Sequence, residues 1–487
     1  MNPTRKEHDI KHFPHQIAAP VTPVGKMDVV SPFDGSCIGT VDTVGIEGVG
    51  EALAVAESLH RDRSNWLGAD QRIAVLSRTA DLLAERAEMF AMEAAREGGK
   101  PLIDSRVEVT RAIDGLRNCA ELLRSESGVE IPMGVTAASR HHCAFTTHEP
   151  IGVVVAVSAF NHPLNLIVHQ VGPAVTAGCP VVVKPAEDTP LSCLRLIDLL
   201  QEAGLPAGWV QALLTDSHAS AEQLVTDPRV AFFSFIGSAR VGWHLRSRLA
   251  PGTRCALEHG GAAPVIVDRG VNLDDVVPSL AKGGFYHAGQ VCVSVQRVFV
   301  HRDIADVLAR KLAKAGEAMQ VGDPVLSDTE IGPLIRPRET QRVHEWVTEA
   351  VDRGAECLCG GNPLSDSCYP ATVLFNAPLD VRVSRQEIFG PVICVYPYDD
   401  VDEAVQEANG LPYAFQAAVF TKDLDFALGV ASRLVASAVM INDHSAFRVD
   451  WMPFAGMRES GLGVGGIPYT FHDMRLEKMI VFRSTQL

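Results

Sequence analysis

Residues 151–157 read Ile151-Gly-Val-Val-Val-Ala-Val157, and residues 179–184 read Cys179-Pro-Val-Val-Val-Lys184. Both are short, continuous apolar runs rich in β-branched residues, and an amphipathic stretch that ends near Ala177 separates them. A strand buried on both faces gives such a run, because a solvated face would impose alternation of polar and apolar residues. Strand, helix and strand in this order predict an α/β fold with a parallel sheet between helices.

The same alternation continues along the chain. We predict a helix over residues 191–203 and a further apolar strand over residues 230–236. A second series follows, with strands predicted at residues 263–267, 297–300, 392–396, 417–420 and 438–441 and helices at 304–319 and 340–353. The sequence therefore predicts two open parallel-sheet α/β domains in succession.

The two ends of the chain have weaker patterns. The first thirty residues are rich in Pro and His, and we expect them to be weakly ordered. Residues 48–125 are predicted to be helical, since Ile113, Leu116, Ala120 and Leu123 recur on one helix face. Alternation and turn residues then predict a β-hairpin that ends near residue 147, and residues 470–483 are predicted to be extended.

Composition excludes several classes of function. The net charge of −16 over 487 residues argues against nucleic acid or an anionic membrane surface as the main partner. No run of apolar residues is long enough to span a bilayer, and the polar first residues do not form a secretory signal. An odd number of cysteines, 11, scattered along the chain is typical of a reducing compartment. We expect a cytoplasmic protein.

One thiol and one carboxylate stand in segments rich in small residues. Cys292 lies in Gly289-Gln-Val-Cys292, and Glu258 lies in Glu258-His-Gly-Gly261. A thiolate attacks a carbonyl carbon, and a carboxylate activates the water that later hydrolyses the resulting thioester. The pair alone is weak evidence, because a cysteine is most often a small buried apolar residue.

Three polar residues follow predicted strands. Asn161, pinned by Pro163, follows the strand that ends at Val157 and offers an amide donor to an oxyanion, although it equally fits a helix cap. Lys184 and Glu187 follow the next strand, where open α/β sheets bind ligands. They suit the hydroxyls of a nucleotide ribose, or they form a solvated loop pair.

Two further segments have the composition of a nucleotide site. Gly237 permits a tight turn after a strand, and Ser238 with the free N–H groups of a helix start suits a phosphate. Glu387 suits a second ribose, and Phe389 suits packing against a flat ring, although a simple loop explains them equally well. The His-rich segments lack a complete ligand set, so we expect no metal.

Seven motifs together are far more specific than any one of them. In chain order they are Asn161, Lys184-Pro-Ala-Glu187, Ile236-Gly-Ser238, Glu258-His-Gly-Gly261, Gly289-Gln-Val-Cys292, Glu387-Ile-Phe-Gly-Pro391 and Pro453-Phe-Ala-Gly456. In this order they resemble the NAD(P)-dependent aldehyde dehydrogenase superfamily over about residues 28–485. The stretch Phe447-Arg-Val-Asp-Trp-Met-Pro-Phe454 resembles the bacterial lactaldehyde- and phosphonoaldehyde-dehydrogenase-like branch.

The resemblance implies a role for each motif. Cys292 is expected to form a thiohemiacetal with the aldehyde and then a thioester, with Asn161 and the Cys292 backbone N–H as the oxyanion hole. Glu258 is expected to activate the hydrolytic water. The expected cofactor residues are Lys184 and Glu187 at the adenosine ribose, Gly237 and Ser238 at the pyrophosphate, and Glu387 and Phe389 at the nicotinamide end.

The chain differs from the usual family pattern at three positions. His162 replaces an aromatic residue after the catalytic Asn, His259 replaces Leu after the general base, and Ala455 replaces a Gly. These two imidazoles fit either a proton shuttle or a packed neutral ring.

Two of the motif residues bear on cofactor and reaction. The carboxylate of Glu187 favours NAD over NADP by charge repulsion of a 2′-phosphate. The presence of Glu258 favours hydrolysis over acyl transfer to coenzyme A. The alternatives are a coenzyme A-acylating aldehyde dehydrogenase, a cysteine esterase or thioesterase without redox chemistry, and a binding protein that has lost its activity.

Charge type indicates the substrate, a small polar or anionic aldehyde, because cations near the entrance favour a carboxylate, phosphate or phosphonate. The candidate residues are Arg111, His162, His287, His444 and Arg448. The expected domains are a cofactor domain (1–122 and 149–257), a catalytic domain (258–467) and a small β oligomerisation extension (123–148 and 468–487). We expect this extension to pair between subunits of a homodimer or homotetramer.

Overall fold

A computed structural model describes residues 10–486. The first nine residues of the predicted cofactor domain and Leu487 of the predicted tail lie outside the described residues. The first part of the chain contains β1 (Lys11–Phe13), β2 (Gly25–Val30), β3 (Cys37–Val44), α1 (Ile46–Arg61), α2 (Ala69–Glu85), α3 (Ala87–Gly98), α4 (Leu102–Leu122), β4 (Glu130–Ile131) and β5 (His142–Pro150).

The middle of the chain alternates between strands and helices, as the apolar runs predict. Its elements are β6 (Val153–Val157), α5 (Asn165–Ala177), β7 (Val181–Lys184), α6 (Leu191–Glu202), β8 (Val210–Ala212), β9 (Leu214–Thr215), α7 (His218–Thr226), β10 (Val230–Ile236), α8 (Ala239–Arg246) and β11 (Arg254–Glu258). Strands β11, β10, β6, β7 and β8 form a parallel sheet in this order, which confirms the first predicted sheet.

The remainder of the chain builds a second sheet. Its elements are β12 (Ala263–Val267), α9 (Leu273–Phe285), β13 (Val295–His301), α10 (Arg302–Glu317), α11 (Pro337–Asp352), β14 (Glu356–Cys359), β15 (Thr372–Phe375), α12 (Arg382–Arg385), β16 (Val392–Tyr398), α13 (Val401–Asn409), β17 (Tyr413–Ala414), β18 (Gln416–Phe420), α14 (Leu424–Ala431), β19 (Ala438–Ile441), β20 (Met457–Arg458), β21 (Gly461–Leu462), α15 (Ile467–Asp473) and β22 (Arg475–Arg483). The sheet order is β14-β15-β16-β13-β12-β18-β19, and only the edge strand β14 is antiparallel.

Burial explains the continuous apolar runs. In β6, Val153 and Val155 pack into the core on one face of the first sheet, while Val154 and Ala156 pack into the core on the other. Both faces are therefore covered, and no position of this strand can be polar without a buried partner. A separate apolar core surrounds the second sheet. In the described residues no helix is long and apolar enough to cross a membrane.

One prediction at the chain ends is wrong, and another is confirmed in part. Strands β1 and β2 pair with the two edges of β3, so the segment from residue 11 is ordered by backbone hydrogen bonds although its side chains are mostly exposed. The predicted extended segment 470–483 is a strand from Arg475 to Arg483, but residues 470–473 belong to helix α15, which buries Ile467 and Phe471 on one face. Periodicity over seven residues is too short to reveal such a helix.

The predicted hairpin is present as the antiparallel pair β4–β5, and β22 extends it to three strands. Strand β22 pairs with β5 along nine residues, from Arg475 opposite Pro150 to Arg483 opposite His142. Within the chain the hairpin and the tail pair with each other, and the pairing of this extension between subunits stays a prediction. Strand β22 remains an edge strand of this sheet.

Candidate active site

The functional side chains converge because parallel strands end at the same edge of a sheet. Val157 of β6 pairs with Lys184 of β7, and Ile236 of β10 pairs with Glu258 of β11. The loops after these strands open onto one cavity of about 1070 Å³. Its lining includes thirteen of the fourteen predicted site residues, namely Arg111, Asn161, His162, Lys184, Glu187, Gly237, Ser238, Glu258, Cys292, Glu387, Phe389, His444 and Arg448.

Cys292 lies between α9 and β13 and packs against a small apolar cluster that includes Val291, Val293 and Phe454. Burial raises the pKa of its thiol, and the nearby carboxylate of Glu258 raises it further. The guanidinium of Arg448 opposes this shift but does not overcome it. The resting thiol is therefore protonated, so attack on a carbonyl requires that a neighbouring group accept its proton.

Glu258 is the last residue of β11 and faces the same cavity. Burial raises the pKa of its carboxyl group, which favours a group that can accept a proton near neutral pH. Arg448 opposes the effect of burial, with Nη1 3.7 Å from Glu258 Oε1. The two residues form a partly buried ion pair beside the thiol.

The Asn161 side chain is hydrogen-bonded to the loop that carries Cys292. Its side chain is buried, and Nδ2 donates a hydrogen bond to the backbone oxygen of Gln290 at 2.9 Å. The Gln290 side chain accepts from the backbone N–H of Ile335 at 3.0 Å, which anchors the same loop from the other side. An amide nitrogen carries two hydrogens, so Asn161 retains one donor for an oxyanion.

The opposite end of the cavity suits a nucleotide. Lys184 Nζ donates to Glu187 Oε1 at 3.2 Å beyond the end of β7. Ser238 is the N-cap residue of α8, but its side chain makes no cap hydrogen bond within residues 10–486, which leaves its hydroxyl and the first N–H groups of the helix for a phosphate. The Gly237 N–H donates to the Glu258 carbonyl oxygen at 3.0 Å, so the turn is tied to β11.

The Glu387 side chain reaches the cavity through a space that is open only because residue 260 is glycine. Its Oε1 accepts the Gly261 N–H at 3.2 Å, and a Cβ at Gly260 would lie 1.6 Å from the same oxygen. Burial raises the pKa of Glu387 to about 8. Phe389, at a φ of 49°, places its ring edge-on to Phe160 at 5.8 Å.

The predicted substrate residues differ in their availability. Arg111 forms a bidentate pair with Asp450, with Nη2 2.7 Å and Nε 3.1 Å from the two carboxylate oxygens. Arg448 has no such carboxylate partner; its guanidinium lies 3.5 Å from the centre of the Phe454 ring, and its Nε has no hydrogen-bond partner among the described residues. Of the two cations, Arg448 is therefore the one whose guanidinium is more available to a ligand.

The three histidines have different positions. His162 lines the cavity with its Nε2 3.3 Å from the Tyr286 hydroxyl, and burial lowers its pKa well below the usual value, so it is neutral. His444 also lines the cavity and is half-buried. His287 is fully buried behind the wall and does not line the cavity, contrary to the prediction, because its left-handed backbone turns the ring toward the protein interior.

His259 packs behind the nucleotide end of the cavity. Its Nδ1–H donates to the Gly237 carbonyl oxygen at 2.9 Å, and the ring lies against Phe235 and Trp243. A Cβ at Gly242 would lie 2.0 Å from the ring, so the imidazole fits only because residue 242 is glycine. The packed neutral ring is the alternative that this geometry favours.

Sequence reasoning missed three residues of the site. Asp450 is buried and accepts hydrogen bonds from Arg111, Asn165 and His169. It lies inside the stretch 447–454, whose motif is visible but whose partners are not, because they are about 280 to 340 residues away. Nothing in the sequence marked Tyr286 and His169 as site residues, except that each is a polar group in an apolar segment.

At the edges of two parallel sheets, one cavity thus brings together a thiol, a carboxylate and an end that suits a nucleotide, an arrangement that fits an oxidoreductase. The chain matches the Aldehyde dehydrogenase family over residues 21–480. It therefore belongs to this family, acts on aldehydes and uses a nicotinamide nucleotide.

Individual relatives agree with this assignment. A 3-sulfolactaldehyde dehydrogenase of Priestia aryabhattai is 39% identical over 460 residues, which cover 94% of this chain and 95% of that protein. Aldehyde dehydrogenase 21 from Physcomitrella patens, solved in complex with the reaction product succinate, superposes with a TM-score of 0.94 at 34% identity, over 98% of this chain and 99% of that one. Glyceraldehyde-3-phosphate dehydrogenase GapN from Methanocaldococcus jannaschii, complexed with NADP, gives 0.89 at 32% identity, over 94% and 99%. These similarities confirm the predicted resemblance to the lactaldehyde-like branch of the family.

Proposed function

We propose that this protein oxidises a small anionic aldehyde to its acid with NAD and releases the product by hydrolysis. The observation that carries the proposal is the position of Arg448, a largely buried cation with a side chain 10% exposed, which lines the cavity together with Cys292 and Glu258. A cation that is taken out of water beside a nucleophile favours a substrate that returns a negative charge to it.

The proposed chemistry uses three side chains. The Cys292 proton passes to Glu258, Sγ forms a bond to the carbonyl carbon, and the carbonyl oxygen becomes an oxyanion held by the free Asn161 N–H and the Cys292 backbone N–H. A nicotinamide nucleotide held by Ser238, Glu387 and Phe389 would supply the acceptor for the hydride of the aldehyde carbon. Glu258 releases the first proton to solvent and then takes a proton from water. The hydroxide oxygen bonds to the acyl carbon, and the C–S bond breaks to return the thiolate.

The nucleotide end supports a preference for NAD. Glu187 is the acidic residue that would face the adenosine 2′ position, and its carboxylate repels a 2′-phosphate. Its charge is partly balanced by Lys184 at 3.2 Å, so the preference is a matter of degree. Ser238, Glu387 and Phe389 are proposed to hold the pyrophosphate, the second ribose and the nicotinamide ring.

The remaining proposals concern assembly, domains and location. Strand β22 has one unpaired edge and exposes Met479, Val481 and Phe482, so a second subunit is proposed to cover it in a homodimer or homotetramer. The two sheets support the division into a cofactor domain (1–122 and 149–257) and a catalytic domain (258–467). All eleven cysteines are free, which supports a cytoplasmic location.

The test is NADH formation with butanal, glycolaldehyde and succinic semialdehyde, with NAD or NADP and with or without coenzyme A. We expect turnover with NAD alone and a higher kcat/KM for succinic semialdehyde. Cys292→Ala should abolish turnover, and Cys255→Ala, a half-buried cysteine outside the cavity, is the matched control. A requirement for coenzyme A, or ester hydrolysis without NAD, would select one of the alternative functions instead.

A further inference from the structure

His169 lies on α5 beneath the substrate end of the cavity, and its side chain is 5% exposed. Its Nε2 is 2.7 Å from Asp450 Oδ1, and its Nδ1 is 3.2 Å from Arg448 Nη2. A guanidinium has donors only, so Nδ1 must be the acceptor and Nε2 must carry the hydrogen that Asp450 accepts. The two neighbours thereby fix one neutral tautomer of the ring.

The charged groups around the ring keep it neutral. Arg448 and Arg111 face it as cations, and Asp450 is the one carboxylate in contact with it in the described residues. Burial and Arg448 lower the pKa of His169 to about 4, although Asp450 acts in the opposite direction. His169 therefore does not titrate near neutral pH.

This placement separates two groups that would otherwise pair. Arg448 and Asp450 are two residues apart on the same loop and carry opposite charges. With the imidazole between them, Asp450 is satisfied by Arg111, Asn165 and His169, while the Arg448 guanidinium stays at the cavity wall, 3.7 Å from Glu258. The cation remains available to an incoming anion because it is not neutralised by a direct bidentate partner.

We infer that His169 is a positioning residue for substrate specificity: as a fixed neutral spacer, it holds the Arg448 guanidinium at the cavity and away from Asp450. The inference rests on the proposed function, in which Arg448 binds the anionic group of the aldehyde. Without the ring nitrogen as acceptor, the Arg448 guanidinium would lose the hydrogen bond that holds it at the cavity wall.

The experiment compares KM for succinic semialdehyde with KM for butanal, two aldehydes of equal chain length that differ by a carboxylate. His169→Phe removes both ring nitrogens at similar volume, and His169→Gln keeps one acceptor and one donor. We expect the ratio of the two KM values to rise about tenfold in H169F, the effect of one charge-assisted hydrogen bond. The ratio should return most of the way to the wild-type value in H169Q.

Arg448→Met separates the possible failures. If R448M does not change the KM ratio, the anion site of the proposed function is wrong and this inference falls with it. If R448M raises the ratio but H169F does not, only the role of His169 is wrong. A lower melting temperature of H169F with both KM values raised equally would show a packing role only and would overturn the inference. The melting temperatures are measured on the full chain with NAD bound.

Discussion

Replacement of Arg448 by Met should make the general base harder to ionise. The Arg448 guanidinium is the cation that lowers the pKa of Glu258 against the opposing effect of burial. Its removal therefore raises the pKa of Glu258, so that a smaller fraction of the carboxyl group is ionised at neutral pH. Because only the carboxylate accepts a proton from water, thioester hydrolysis should slow at neutral pH and recover as the pH rises.

The size of the effect follows from the separation of the charges. Arg448 Nη1 and Glu258 Oε1 are 3.7 Å apart, and their side chains are 10% and 15% exposed. With an effective dielectric constant of about 20, the Coulomb energy of the pair is about 4 kcal/mol, an upper limit because water enters the space left by the guanidinium. A loss of about one third of this energy, about 1.4 kcal/mol, moves the acidic limb of hydrolysis upward by about one pH unit.

The assay is kcat for NADH formation from butanal as a function of pH. Butanal is chosen because it has no charge for Arg448 to bind. In R448M we expect the acidic limb of kcat to lie at higher pH than in the wild type. Arg240→Met removes an exposed cation that also lines the cavity, and it should leave the profile unchanged. An acidic limb that does not move in R448M would refute the reasoning.

Three further changes have defined outcomes. Asn161→Ala removes an oxyanion donor and should lower kcat about a hundredfold to a thousandfold, measured by steady-state kinetics; a change smaller than fivefold would contradict its role. Glu187→Gln should raise the ratio of kcat/KM for NADP to that for NAD about tenfold, and an unchanged ratio would show that Glu187 does not face the 2′ position. Lys100→Met leaves Glu108 unpaired where both side chains are fully buried, and should lower the free energy of unfolding by about 3–5 kcal/mol in urea titrations. The double variant K100M/E108Q should recover part of that loss, since no unpaired charge remains.

The local sequence pattern was sufficient to predict the elements that are buried along their whole length. Strand β10 begins at Val230 and ends at Ile236 as predicted, because every residue in this run is apolar or paired in the sheet. The cavity residues at the ends of β7 and β11 were also predictable, since strand order places them on one edge. Strands β1 and β2 were not, because backbone pairing with β3 orders them and their side chains carry little signal.

The electrostatics of the site depend on contacts that no local pattern reveals. Arg111 and Arg448 are equivalent as sequence letters, yet only Arg111 is bound by Asp450, across more than three hundred residues. His287 is of a residue type that is common in active sites, but the backbone conformation turns its ring into the interior. Such differences arise from tertiary packing, so the sequence indicates the chemistry available at the site and the fold decides which groups remain free.

The most direct test of the central claim is the intact mass of Glu258→Gln after incubation with NAD and succinic semialdehyde. The account predicts a release of NADH that is slower than in the wild type, because Cys292 loses its proton acceptor, and that stops close to the number of sites, with an acyl adduct that peptide mapping places on Cys292. Wild-type protein should show no stable adduct. Full turnover by E258Q, or an adduct on a different cysteine, would contradict the claim that Cys292 carries the thioester and Glu258 activates the water that hydrolyses it.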